Sequence, residues 1–382
     1  MVSPMEYNTR AIMAQIIREK SSIFAQERAS FHHPAYKVNP FHKRYQDTFP
    51  NQKDFGKNIA NRFTDKAIFN ILAVAPTQSG KTGSMLAFLY ECMNNPLLRV
   101  NKNHIFIFTG HSSCEWLQQT RERFPSWMKK QIFHRNHFNI LSKKLSKLSD
   151  VILIVDECHI ASKQGQTVFN LLSDIAPDSP TIFKRNFKIL QVSATPEMLH
   201  QRFSLLWGKA HDILFMDVPD NYLSADKLSS QNRVLQAEDI CGYDPRTDSV
   251  NSVALDNIRK IVPFIQSMPP SYHIIRTPRA HKHHVVMRNF KLVFEPFNAI
   301  YISSNDIDNA QFDALLAIPP LHHTFIFIKD KLRCAKTIHH QFIGVLYERW
   351  VSKPNPSSIS QGLLGRITGF HSNSQAIVFS LF

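Results

Sequence analysis

The stretch that most constrains this chain is Ala73-Val74-Ala75-Pro76-Thr77-Gln78-Ser79-Gly80-Lys81-Thr82. It follows an apolar run, Ile68 to Val74, that reads as a buried strand. It precedes Gly83 to Met93, whose spacing and composition read as a helix. A strand, a tight loop and a helix opening on Gly-Lys-Thr form a cradle for phosphate. In such a cradle the backbone N–H groups and the helix N-terminus face the anion, and Lys81 reaches the terminal phosphates. The Thr82 hydroxyl is suited to Mg²⁺. Thr77, Gln78, Ser79 and Gly80 complete the expected loop. Ala75 stands where the usual pattern has its first glycine, and a lone Gly-Lys-Thr also occurs in ordinary loops. The loop therefore needs a chemical partner elsewhere in the chain.

Asp156-Glu157-Cys158-His159 supplies one. It follows the apolar strand Val151 to Val155. Read alone, Asp-Glu is a strand-terminating turn. Two adjacent carboxylates at the end of a buried strand are expensive unless they are used. Brought to the loop, Asp156 would complete the Mg²⁺ shell with Thr82, and Glu157 would orient an attacking water, as phosphoryl transfer requires. Ser193-Ala194-Thr195-Pro196 follows the next apolar strand, Ile189 to Val192, where small hydroxyls can bond the carboxylates or simply make a turn.

The 382 residues are enough for two domains and a sizeable core, and 29 phenylalanines predict a Phe-rich one. The formal charge of +15 points to an anionic partner, nucleic acid first, with a basic surface kept for solubility as the alternative. Five cysteines, Cys92, Cys114, Cys158, Cys241 and Cys334, include no close pair, which indicates neither a disulfide framework nor a zinc ribbon and fits a reducing, intracellular compartment. The chain shows neither an apolar signal core in Met1 to Lys20 nor a membrane-length run, so no membrane association is expected. The histidines His281, His283, His284, His322, His323, His339 and His340 match no common zinc spacing and read as exposed polar groups.

Strands alternate with helices, which predicts an α/β fold with parallel sheets. We expect an appendage over 1–45, a first domain over 46–210, a linker over 211–250 and a second domain over 251–382. In the second domain the pattern predicts strands at Tyr272 to Arg276, Leu292 to Phe294, Thr324 to Ile328, Phe342 to Tyr347 and Ala376 to Phe379. It predicts helices at Val253 to Gln266, Asn309 to Leu316, Lys331 to Ile338 and Ser358 to Ile367.

Gly-Lys-Thr, Asp-Glu-Cys-His and Ser-Ala-Thr, in this order and at strand ends, resemble motifs I, II and III of superfamily 2 helicases of the DExH type. Local strings such as Thr109-Gly110-His111-Ser112-Ser113 and Gln361-Gly362-Leu363-Leu364-Gly365-Arg366 look most like a branch found in large DNA viruses and phages. The resemblance implies two RecA-like domains of the P-loop NTPase fold, hydrolysing ATP with Mg²⁺ to translocate on and unwind nucleic acid, DNA favoured over RNA. Two alternatives stay open: a duplex translocase without strand separation, and a nucleic-acid-binding subunit with weak ATPase.

It further implies that Gln52 reads adenine and that His159, Ser193 and Thr195 couple the domains. Thr109 and Gly110 would grip a nucleic-acid phosphate, though an ordinary helix cap by Ser112 or Ser113 is an equal reading. Tyr272 to Thr277 resembles motif IV, and Phe325 to Lys329 with Leu332-Arg333-Cys334-Ala335 resembles motif V, which assigns Arg276, Lys329 and Arg333 to nucleic acid. Gln361 and Arg366 fall on motif VI, with Arg366 as the arginine finger. Arg366 also reads as a cation on a helix C-terminus. The family has a second arginine where Gly369 stands.

Overall fold

The computed structural model describes residues 44–381 apart from 99, 113, 163–164, 176–178, 195–206, 244–249, 330–331, 333–337, 354–361 and 372. The expected appendage, apart from residues 44 and 45, lies outside the described residues, as do the predicted helix over 331–338, apart from 332 and 338, and residues 358–361 of that over 358–367. The described residues form two compact units. The first runs to Ser224 and includes Thr368–Phe370; the second comprises Ala225–Ile367 and the residues from His371 onward.

In the first unit, α1 (Pro50–Arg62) leads to β1 (Asn70–Val74) and α2 (Lys81–Asn94). Then come β2 (Ile105–Thr109), α3 (Cys114–Arg123), β3 (Ile132–His134), α4 (Phe138–Leu145) and β4 (Ile152–Asp156). The helices α5 (Thr167–Ile175) and α6 (Ser179–Lys184) precede β5 (Lys188–Ser193) and β6 (His211–Phe215). The sheet is parallel throughout, in the order β3-β2-β4-β5-β1-β6. The strands β1, β2 and β4 are buried along their whole length. That is why they read as unbroken apolar runs: helices cover both faces of a parallel sheet.

The second unit holds α7 (Ala225–Ser230), β7 (Val234–Gln236), α8 (Ser252–Arg259), α9 (Val262–Gln266), β8 (Tyr272–Arg276) and α10 (His281–Phe294). After these come β9 (Ile300–Ser303), α11 (Asn309–Leu316), β10 (Thr324–Ile328), β11 (Ile343–Tyr347), α12 (Leu364–Ile367) and β12 (Ile377–Ser380). Its sheet is also parallel, in the order β7-β12-β11-β8-β10-β9. Its core is Phe-rich: Phe290, Phe294, Phe325 and Phe327 pack as one cluster, Phe294 and Phe325 with ring centres 4.6 Å apart. No helix among the described residues is long and apolar enough to cross a membrane.

Three expectations differ from the structure. Residues 211–250 are not a linker alone. The strand β6 pairs with β1 from Asn70↔His211 to Val74↔Phe215, and β7 pairs with β12. Both are edge strands. They are short and half-exposed, with Asp212 of β6 bonded to Arg62 of α1, and lack the unbroken apolar run of the central strands. The run Leu292 to Phe294 is the last turn of α10, and the strand is Ile300–Ser303 instead. Three apolar residues carry no period of their own, and the i, i+4 pair Phe290 and Phe294 commits the segment to helix. The helix expected over 253–266 breaks into α8 and α9, with Pro263 in the first turn of α9.

The expectation that the histidines are exposed also fails in part: several of them in the second unit are structural. His283, fully buried, lies between the Thr277 hydroxyl (2.6 Å) and the Ser303 hydroxyl (3.0 Å). His273 pairs with His323 at 3.1 Å and accepts the Val345 amide at 3.1 Å. His340 and His371 stack at 4.2 Å and donate to the Arg366 and Ile367 carbonyls. Burial pushes His283 and His340 down to about 4 and lowers His273, His323 and His371 as well. Depressed native values mean that the unfolded chain binds more protons between pH 6.5 and 4, so stability falls across that window on acidification. In the first unit Asp156, raised to about 6 by burial and by Glu157, works in the opposite sense. Calorimetry of the full chain at pH 7.5 and pH 5 is expected to show one transition moving to lower temperature in acid. A His283→Asn, His340→Asn double variant should lose part of that shift. A wild-type profile identical at both pH values would contradict the assignment.

Candidate active site

The parallel register gathers the motif loops at the carboxyl edge of the first sheet. Val74, which precedes the loop, lies beside Ser193, and Asp156 lies beside Val192. Thus β5 stands between β1 and β4, and three motif strand ends are consecutive neighbours. Sheets of this type bind ligands at that edge.

The loop after β1 is held from several sides. The Ala75 amide donates to the Ser193 carbonyl at 3.0 Å, and Ala75 is fully buried without a positive φ, so this position does not require the missing glycine. The Ser79 hydroxyl donates to the Pro76 carbonyl at 2.8 Å. The Thr77 carbonyl accepts from the Tyr222 hydroxyl at 2.6 Å and from Thr368 Oγ1 at 3.0 Å. Gln78 (φ 61°) and Gly80 (φ 97°) take left-handed conformations that turn the chain into α2. Lys81 and Thr82 open that helix, where first-turn N–H groups have no intrahelical acceptor.

Gln52 was expected to read adenine, but it is buried against this loop. A Cβ on Gly80 would fall 1.8 Å from its Nε2, and one on Gly83 would fall 2.1 Å from its Oε1. Its Oε1 also accepts the Phe49 amide at 3.1 Å, closing the start of α1. The amide is committed to the loop and the helix cap.

Asp156 and Glu157 are both buried. Asp156 Oδ2 accepts from Trp116 Nε1 at 3.1 Å, and its Oδ1 accepts the Glu157 amide at 3.0 Å. Glu157 has φ 49°, a strained value for a residue with a side chain. Its Oε1 is 3.9 Å from Lys81 Nζ, and its Oε2 is 3.5 Å from His159 Nδ1. Glu157 Oε2 has no hydrogen-bond partner among the described residues. Burial, then the Glu157 charge, raises Asp156 to about 6, opposed by Lys81 and the Trp116 N–H. Two buried carboxylates, one with an orphaned oxygen, beside a hydroxyl at a helix start are a donor set that fits a hard divalent cation. His159 Nδ1 also lies 3.2 Å from the Ser193 hydroxyl, so the Asp-Glu-Cys-His turn and the Ser193 strand end are joined through it.

Other expected site residues are placed differently. Thr109 is fully buried, and its hydroxyl accepts the His111 amide at 3.3 Å, so it faces no phosphate. Gly110 lies against the turn after Glu157: a Cβ there would meet the Ile160 carbonyl at 2.3 Å. Arg276 is buried in an ion pair with Glu348, Nε to Oε1 at 2.7 Å, and donates to the Leu332 carbonyl at 3.1 Å. Glu348 in turn accepts the Leu363 amide at 3.1 Å. The guanidinium expected on nucleic acid therefore braces the segment leading to Arg366. Lys329 follows β10, close enough for its charge to lower His283. Arg366 is almost wholly buried, at 1% exposure, within the four residues of α12. Thr195, Arg333 and Gln361 lie outside the described residues.

Gly369, where the resembled family has arginine, has φ 120°, and a Cβ there would lie 3.3 Å from Gln78 Cβ. It exchanges backbone bonds with Leu223 in both directions, at 2.9 and 3.0 Å. Only glycine suits that conformation. Sequence reasoning missed Arg123, Tyr222, Thr368 and Glu348, and gave Trp116 no role. None of these belongs to a motif, and each is defined by a long-range hydrogen bond.

No protein-family profile matches the chain. It is 25% identical over 334 residues to an Acanthamoeba polyphaga mimivirus protein described as "uncharacterized protein L594", covering 81% of this chain and 79% of that one. Among solved structures it is similar to "ATP-dependent Type ISP restriction-modification enzyme LlaBIII bound to DNA", with TM-score 0.58 and 12% identity, over 87% of this chain and 28% of that one. It also aligns with the Escherichia coli DEAH/RHA helicase HrpB at TM-score 0.48 and 13% identity, over 82% of this chain and 40% of that one. At such identities the likeness is one of fold. A likeness of fold alone gives no support to the expected preference for DNA.

The burial of Arg276 makes it a stability residue. Arg276→Ala is expected to cost about 3–5 kcal/mol by stranding the Glu348 charge. Denaturant unfolding measures this. Restoration by a second change, Glu348→Gln, would support the pairing, whereas an unchanged midpoint for Arg276→Ala would refute it.

Proposed function

We propose that this chain is a helicase-like ATPase that hydrolyses ATP to move on nucleic acid and separate its strands. The observation that carries this reading is the meeting of Lys81 with Glu157, 3.9 Å apart, at the carboxyl edge of a parallel sheet. The formal charge of +15 supports a polyanionic track. The order of the three motifs, and the fold shared with an enzyme described as ATP-dependent and bound to DNA, support it further.

In this reading the loop Thr77 to Gly80 and the first turn of α2 hold the phosphates, and Lys81 neutralises the terminal one. Thr82 and Asp156 would hold Mg²⁺, which would supply charge stabilisation to the transferred phosphoryl group. Glu157 orients the attacking water, with its Oε2, which accepts no hydrogen bond among the described residues, facing the proton to be taken. Lys81 and His159 keep that carboxylate placed. Arg366, with Gln361, is assigned the charge-stabilising role of an arginine finger. His159, Ser193 and Thr195 carry the state of the carboxylates away from the site. Gly110 and Lys329 remain assigned to the nucleic-acid side, as does Arg333. The polymer is not assigned.

Steady-state ATPase of the purified chain, alone and with single-stranded DNA, duplex DNA or RNA, tests the reading. Turnover stimulated by one polymer is expected, and Glu157→Gln should lower it by about 100-fold or more with ATP binding retained. Strand separation is then scored on a partial duplex with a single-stranded tail. Stimulation without separation would favour a duplex translocase. ATP binding without turnover in the wild type would make the chain a nucleic-acid-binding subunit and overturn the proposal.

A further inference from the structure

Helix α3 contributes nothing to the phosphate loop or to the Asp-Glu pair, yet it donates to both. Trp116 Nε1 reaches Asp156 Oδ2 at 3.1 Å, and Arg123 Nη1 reaches Thr82 Oγ1 at 3.4 Å. The two residues are seven apart, two helical turns, and so lie on one face of the helix. Their acceptors are the two side chains assigned above to the cation.

We propose that α3 sets the cation affinity of the site. Trp116 orients Asp156 for the metal, and Arg123 holds the Thr82 hydroxyl until the metal takes it. This inference rests on the phosphate-site reading above.

The two residues act in opposite senses, for physical reasons. An indole has one N–H and no acceptor, so Trp116 can only fix a carboxylate oxygen. Trp116 and Asp156 are each 7% exposed, so the bond is shielded and the carboxylate is held in one rotamer. With one donor on each oxygen, Asp156 keeps lone pairs on both for a cation. Partners of this kind typically change metal affinity tenfold or more. Arg123 is exposed and its bond to Thr82 is long, so it withdraws easily. While in place it occupies a lone pair of a metal ligand and sets a positive charge beside a divalent cation. The helix also starts just after the Thr109-Gly110 loop, which packs on the turn after Glu157. A partner that displaced that loop would move both donors together.

The test is direct metal binding without turnover. Mn²⁺ is titrated into the full-length chain with a non-hydrolysable ATP analogue, and free Mn²⁺ is read by electron paramagnetic resonance. Trp116→Phe, which keeps an aromatic ring and deletes the N–H, is expected to weaken Mn²⁺ about tenfold. Arg123→Gln is expected to tighten it about threefold, a factor of the size that removing one exposed charge gives. Neither should change the affinity for the analogue in the absence of metal. A general loosening of the fold would weaken both variants, so the opposite signs mark positioning. Thermal unfolding checks that Trp116→Phe is folded, and the exposed Arg123→Gln keeps the inference testable if it is not. Wild-type affinity in Trp116→Phe, or weaker binding in Arg123→Gln, overturns the inference alone. A wild-type chain that takes up no Mn²⁺ with the analogue overturns the phosphate-site reading and this inference with it.

Discussion

Two carboxylates buried side by side at the end of an apolar strand must be stabilised by their surroundings, or one of them takes up a proton. Here Asp156 is raised to about 6 and is held by an indole N–H and a backbone amide. Glu157, in a left-handed conformation, lies between Lys81 and His159. Most of the first unit's local geometry follows from this. The strand carrying the pair lies two places from β1, with β5 between them, and Lys81 reaches across to Glu157. The turn after the pair is pinned by the Cys158 amide on Val192 and by Gly110 against Ile160. Strained backbone at such a point is stored where surrounding bonds over-determine it.

The phosphate loop shows the same economy. It lacks one glycine of the usual pattern because Ala75 lies in ordinary backbone, bonded to Ser193. It depends instead on contacts far away in sequence. Gln52 fills the space that side chains at 80 and 83 would need, and Tyr222 and Thr368 share the Thr77 carbonyl. Gly369 then has a structural reason to be glycine rather than arginine. The loop is thus braced by three segments that its own motif does not contain.

In the second unit cations and histidines serve the fold. Arg276 and Glu348 form a buried pair that reaches to Leu363, while His340 and His371 stack and satisfy the carbonyls at the end of α12. A strand-end arginine looks the same in sequence whether it faces a ligand or a buried glutamate. Only the partner decides, and that partner lies 72 residues away.

The sequence alone determined the fold class and marked the candidate site of the first unit. Unbroken apolar strands alternating with helices require a parallel sheet, and Gly-Lys-Thr and Asp-Glu-Cys-His fall at strand ends, where such a sheet gathers its loops. These signals are local and periodic, so they survive in one dimension. Edge strands β6 and β7 and the short strand β9 did not show themselves, because an edge or a four-residue run has no complete pattern. Strand order was also beyond the sequence: that β5 lies between β1 and β4 is set by crossovers. Tertiary structure decided which side chains are consumed by the fold, as with Thr109, Gln52 and Arg276. It also decided which unannounced ones, Trp116 and Arg123, reach the site. Those identities rest on hydrogen bonds between residues distant in the chain, and no local pattern encodes a distance.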